Sequence, residues 1–159
     1  MEVHKYNNGL LVFNEVKSPS TKEPITAIAK NNVAARKVAE EIKVYTEDDH
    51  LQYVDDSARE MYSELKSAIL ILGKDIEVRP KKQYVAFRRK QAFVSIVFLK
   101  SKLKAYLNIE IKQINDPISK ARDVKDIGHY SSGKTEIIIN NREEISYALT
   151  LIKQAYEKS

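Results

Sequence analysis

From Lys102 to Lys112 the chain alternates without a break. Leu103, Ala105, Leu107, Ile109 and Ile111 fall on one side, and Lys102, Lys104, Tyr106, Asn108, Glu110 and Lys112 on the other. A period of two is that of a β-strand with one face buried and the other turned to water. Such a strand cannot stand alone; it demands neighbouring strands and an apolar layer to cover its buried face. The segments around it supply both. Ala92 to Leu99 is almost continuously apolar, as a central strand would be, and Tyr84 to Phe87 is a shorter extended stretch. Ile114 to Val124 is irregular, with Asp116-Pro117 as a turn, and Glu136 to Ile139 reads as a further strand.

Helical patterns flank these strands. Asp55, Asp56 and Ser57 are candidate N-caps for a helix whose Ala58, Met61, Leu65, Ala68, Ile69 and Leu72 share a face, with Gly73 placed to end it. Asn140 or Asn141 opens a final helix with Ile145, Ala148, Leu149, Ile152 and Tyr156 on one side. Strands in succession favour an antiparallel meander. The expected fold is therefore α+β: an antiparallel sheet of four to five strands with N- and C-terminal helices packed on one face, preceded by a β-hairpin and linker.

That hairpin is read from Val3 to Tyr6 and Leu10 to Val16, joined by Asn7-Asn8-Gly9, where Asn-Gly supplies the positive φ a tight turn requires. Lys17 to Pro24 is a proline-containing linker, Ala27 to Val44 an Ala-rich helical stretch, and Lys43 to His50 a second polar connection. The expected division is thus 1–17 for the hairpin, 18–52 for a linker with a helix, and 53–159 for the α+β domain. Two strands are not stable alone, so the hairpin either packs on the domain that follows or closes an upstream domain of a longer protein.

Charge is unevenly placed. Arg79 to Lys104 holds nine basic residues and no acidic one, whereas the whole chain has 27 Lys plus Arg against 22 Asp plus Glu. Concentrated positive charge speaks to partners rather than to fold. With Leu103, Ala105 and Leu107 facing the helices, Lys102, Lys104 and Tyr106 face outward, and Arg88, Arg89 and Lys90 sit at a strand-joining turn. Cations beside an exposed aromatic suit nucleic acid, the charges tracking phosphate and the ring stacking a base. Strand-edge lysines that discourage aggregation are the competing explanation.

Other chemistries find little support. Without Cys, thiolate metal sites, disulfides and thiol nucleophiles are excluded, and the three histidines, His4, His50 and His129, show no ligand spacing. No phosphate loop or nucleophile elbow is present, and no cofactor is expected. Glu15-Val16-Lys17 resembles the Glu-x-Lys strand end of PD-(D/E)xK nucleases, but its only upstream acidic partner is Glu2. No segment reaches the roughly 20 apolar residues of a membrane span, and no secretory leader is evident. A cytoplasmic location is the expectation, with oligomeric state open.

One run is more specific: Ala121-Arg122-Asp123-Val124, Ile127-Gly128-His129, Gly133 and Glu136, with Tyr45-Thr46 and Asp49-His50-Leu51 upstream and Ile152-Lys153-Gln154-Ala155-Tyr156 at the end. It resembles an uncharacterised domain family whose members carry the label "predicted transport protein". The likeness extends over about Tyr45 to Glu157. It implies no established activity. It implies a domain appended C-terminally to longer proteins whose upstream parts are restriction-endonuclease-like, and the hairpin resembles the closing strands of such a nuclease-like domain. This chain has Tyr106 where the family often has Trp. Within the motif, Gly128 and Gly133 are expected to serve positive-φ backbone, and Arg122 and Asp123 to pair with each other or cap the following turn. His129 is expected to bond backbone beneath the sheet. A ligand or partner site at these five residues is the alternative. Together these features favour a non-catalytic accessory domain that binds an anionic partner, nucleic acid above all, in a restriction or defence protein. A protein-interaction or assembly module is the first alternative, and a fragment of a metal-dependent PD-(D/E)xK nuclease the second.

Overall fold

The computed structural model describes Glu2–Lys5, Leu11–Asn14 and residues 44–159. The chain divides into two compact units, Met1–Lys43 and Val44–Ser159. In the first, β1 (Glu2–Lys5) and β2 (Leu11–Asn14) pair antiparallel, Glu2 opposite Asn14 and Lys5 opposite Leu11. The Asn-Gly turn, the proline-containing linker, and all but the last residue of the helix expected over Ala27 to Val44 lie outside the described residues.

The second unit begins ahead of residue 53, where the domain was expected to start. A short helix α1 (Asp48–Leu51) already belongs to it. His50 is buried, stacks on Phe98 at 5.1 Å and has Nε2 2.8 Å from the Lys81 carbonyl. Glu47 accepts bonds from the Tyr62 hydroxyl and, at 2.7 Å, from Lys66 Nζ. Burial and this carboxylate together push the Tyr62 phenol well above its ordinary range.

Helix α2 (Asp56–Ile71) starts where the sequence places a cap: Asp55 is extended and its carboxylate accepts the Ala58 N–H at 2.9 Å. It buries Ala58, Met61, Tyr62, Leu65 and Ile69. Four strands follow: β3 (Glu77–Pro80), β4 (Val85–Arg88), β5 (Ala92–Phe98) and β6 (Leu103–Leu107). After a long irregular stretch come β7 (Arg122–Asp123) and β8 (Thr135–Ile139). A turn of 3-10 helix, capped by Asn141, then leads into α3 (Ile145–Glu157), which buries Ile145, Ala148, Leu151, Ile152 and Ala155.

The strands form one six-stranded sheet in the order β3-β4-β5-β6-β8-β7, with every neighbour antiparallel. The α+β layout is the expected one, with six strands in place of four to five. The two additions are β3, whose Glu-Val-Arg-Pro is short and ends in proline, and the two-residue β7. The alternating segment leaves the ladder at Leu107. On one side β5 is bulged, Arg88 facing Ala92 while Phe87 faces Val94, and on the other β8 begins only opposite Leu107. Beyond that point Ile109 stays buried without a paired strand, its carbonyl held by the Thr135 hydroxyl at 2.7 Å. Residues Ile111–Gln113 turn into 3-10 helix.

Strand register sorts the sheet into two faces. Val85, Phe87, Val94, Ile96, Leu103, Ala105, Leu107, Ile137 and Ile139 share one face and join the buried side chains of α2 and α3 in a single core. Burying each large aliphatic or aromatic side chain contributes about 1.5–3 kcal/mol, so this layer supplies most of the drive to fold. Ala86, Ser95, Lys104, Tyr106 and Glu136 share the opposite face, which carries no helix among the described residues.

Candidate functional site

The helix-free face centres on a carboxylate. Glu136 lies opposite Tyr106 on one side and Arg122 on the other, so β6, β8 and β7 each contribute to the same spot. The side chain of Glu136 is only 3 % exposed. Arg122 Nη2 donates to it at 2.7 Å, and Lys104 Nζ lies 3.2 Å away. The Tyr106 hydroxyl faces the same carboxylate and helps to stabilise its charge. Burial alone would raise the Glu136 pKa, but these donors outweigh it and hold the carboxyl below its ordinary value. In return, burial and the same carboxylate push the Tyr106 phenol up to about 12.

Tyr106 is therefore not the open stacking platform its alternation suggested. It is buried, and the His129 ring lies flat over it at 4.7 Å and 13°. The loop after β7 brings His129 there, with Ser131 Oγ at 3.5 Å from its Nδ1 and accepting the Gly133 N–H at 3.3 Å. His129 thus meets a ring and a hydroxyl rather than the backbone bond expected of it. Arg122 and Asp123 do not pair with each other; Asp123 caps the following turn by accepting the Lys125 N–H at 3.0 Å. The glycine expectation also changes, since neither Gly128 nor Gly133 lies in the left-handed region that favours glycine. Gly133 is needed for a different reason: a Cβ there would sit 2.6 Å from Tyr106 Cβ and 2.7 Å from its carbonyl carbon. Gly128 has nothing within 4 Å of that position.

The motif residues Arg122, His129 and Gly133 are thus gathered around Tyr106 and Glu136, while Asp123 and Gly128 serve the connecting loop. Glu136 is the residue that site reasoning passed over. Its signal was present: it is the one charge among Thr135, Ile137, Ile138 and Ile139, at the parity of Lys104 and Tyr106. Beside it a depression of about 270 Å³ is lined by Lys120, Arg122, Glu136, Ile138 and Asn140.

The basic window does not form one patch. Arg88, Arg89 and Lys90 lie at the β4–β5 turn, and Lys102 at the β5–β6 turn, at opposite ends of β5. Several of its charges meet acids from outside the window. Arg89 Nε donates to Asp75 at 2.7 Å and its guanidinium lies 4.7 Å from the Tyr156 ring centre. The Arg89 bond lowers the Asp75 pKa. Arg79 pairs with Glu77 at 2.8 Å, and Lys104 with Glu136. Arg88 Nη2 donates to the Lys90 carbonyl at 2.9 Å, and its Nε is buried without a partner. Among the described residues, Lys90, Lys100 and Lys102 have no acidic side chain within ion-pair distance. Both turns are held in place: the first by Arg89, the second by the Lys100 carbonyl, which accepts the Asp55 N–H at 2.8 Å.

Glu2 lies on β1, while Glu15 and Lys17 lie outside the described residues. No group of three or more His, Asp or Glu able to hold a metal occurs among the described residues, and no helix there is long and apolar enough to cross a membrane.

Residues 47–159 match the family described as "Domain of unknown function (DUF5655)", and the chain belongs to that family. It is also 32% identical over 154 residues to an uncharacterized protein of Haemophilus influenzae, covering 97% of this chain and 51% of the relative. The chain therefore spans about half the length of that relative. No solved structure matches.

Proposed function

We propose that the chain is a non-catalytic accessory domain that binds nucleic acid across the helix-free face of its sheet. The observation that carries this reading is the pair of anchored turns bearing Lys90, Lys100 and Lys102, cations without acidic partners at the two ends of β5. Arg122, on the β7 edge of the same face three strands from β5, is 60 % exposed and keeps part of its guanidinium open while bound to Glu136. The seven residues of β5 separate the turns by about 20 Å, a span over which duplex DNA presents phosphates at about 3.4 Å per strand step. Lysines fixed at that separation can meet a phosphate backbone without reading its sequence.

Anisotropy titrations of single- and double-stranded DNA and RNA at increasing salt test this reading. With about three phosphates engaged, log K should fall against log[salt] with a slope of about −2 to −3. Replacing Lys90, Lys100 and Lys102 by Gln should flatten that slope for every sequence alike. No retention of any of the four nucleic acids at about 50 mM salt would rule the reading out.

The wider setting belongs to the same proposal. The relative is about twice the matched length, which leaves room in it for a further domain, and a nuclease-like partner domain in a cytoplasmic restriction or defence protein suits an appended DNA-contacting module. A protein-interaction module is the competing reading. Exposed Ile127 and Tyr130 on the loop that carries His129 favour it, and binding to protein with no nucleic-acid retention would establish it.

A further inference from the structure

We propose that the chain self-associates through β3, two copies joining their sheets edge to edge. β3 ends the sheet order, so its outer side meets no strand among the described residues. The Lys81 N–H donates to the Tyr84 carbonyl at 2.8 Å where β3 turns into β4. Hydrogen-bonded and non-bonded pairs alternate along an antiparallel ladder. Arg79 with Ala86 and Glu77 with Arg88 are therefore the bonded pairs, and Val78 with Phe87 and Pro80 with Val85 the non-bonded ones. The N–H and C=O of Val78 and the C=O of Pro80 consequently point away from β4. Pro80 fits there because the inner ladder asks no N–H of it.

A two-fold axis through Val78 then satisfies the edge with its own copy. Val78 faces Val78 of the second copy and exchanges two N–H to C=O bonds with it. Glu77 comes opposite Arg79 of the second copy, and the reverse pair forms by symmetry. Both side chains lie on the helix-free face and are more than half exposed, at 57% and 53%. The charges also choose the register. Centring the pairing on Glu77 sets glutamate against glutamate, and centring it on Arg79 sets arginine against arginine, whereas only Val78 makes both cross-strand pairs opposite in sign. A contact of one short strand is small, so the dimer belongs with weak interfaces, its dissociation constant on the order of micromolar or above.

Sedimentation velocity of the full chain over a concentration series tests this, with a concentration-dependent monomer–dimer equilibrium expected. Val78→Pro removes the outward N–H, together with a side chain that packs against the core, and should raise the dissociation constant at least about tenfold. Glu77→Arg should do the same. The exchanged variant Glu77→Arg/Arg79→Glu keeps the sheet edge self-complementary and should return the constant to within about threefold of the native value. A monomer at every concentration, a dimer indifferent to both single changes, or an exchanged variant no tighter than Glu77→Arg would each overturn the proposal.

Discussion

Glu136 shows how much can rest on one side chain. It neutralises a cation on each neighbouring strand and faces the Tyr106 phenol, all from a position almost closed to water. Replacing it with Gln leaves Lys104 and Arg122 without their counter-charge. The loss should be about 1–3 kcal/mol rather than the larger cost of a fully buried pair, because Arg122 can turn to solvent. The sign with pH follows from the lowered carboxyl pKa. The stabilisation is complete above the unfolded value of about 4.3 and is lost as pH falls through the lower folded value. Urea midpoints for the native chain and Glu136→Gln should therefore differ most near neutrality and converge as pH falls below the lowered folded value; a gap that stays constant would contradict the assignment. Gly133 makes the complementary point. Gly133→Ala drives a methyl into the β6 backbone at Tyr106, which cannot yield as a side-chain tip would, and should cost about 1–3 kcal/mol in thermal or urea unfolding. Gly128→Ala, with open space around it, should stay within about 0.5 kcal/mol of native.

At the scale of elements, the caps are the cleanest handles. Asp55 both starts α2 and, through its N–H, ties the helix to the Lys100 carbonyl of the β5–β6 turn. Asp55→Ala removes the side-chain bond to Ala58 and should cost about 1 kcal/mol, read as a lowered midpoint with an unchanged denaturant slope. Both long helices and β6 were legible in the sequence because each carries a period of its own, and β4, β5 and β8 because each is an extended, largely apolar stretch. β3 was not, since four residues ending in proline give too few alternations to stand out. Nor was β7, which is a strand only because Glu136 and Thr135 lie opposite Arg122 and Asp123. The candidate site was legible by residue type and not by arrangement. Alternation correctly placed Lys104 and Tyr106 on the outer face, but no local pattern could say that His129 would fold over Tyr106. It could not say either that Asp75 and Glu136 would close on the basic window. Those contacts join residues separated along the chain and come into being only with the sheet.

For the molecule as a whole, the family match over 47–159 and the compact unit Val44–Ser159 mark nearly the same boundaries. Glu47, held by Tyr62 and Lys66, fastens the start of that unit to α2. A fragment of residues 44–159 should accordingly unfold in one cooperative thermal transition by circular dichroism, whereas a broad, non-cooperative melt would show that the unit needs residues 1–43. The order of the strands has a further consequence during synthesis. β8 lies between β6 and β7 although it follows both along the chain. Until the ribosome has released residue 139, β6 has an open edge and the apolar row Leu103, Ala105 and Leu107 borders a vacant slot. The last strand made is thus the one that closes the interior of the sheet, and a chain stalled before it would offer a neighbour a ready-made place to insert.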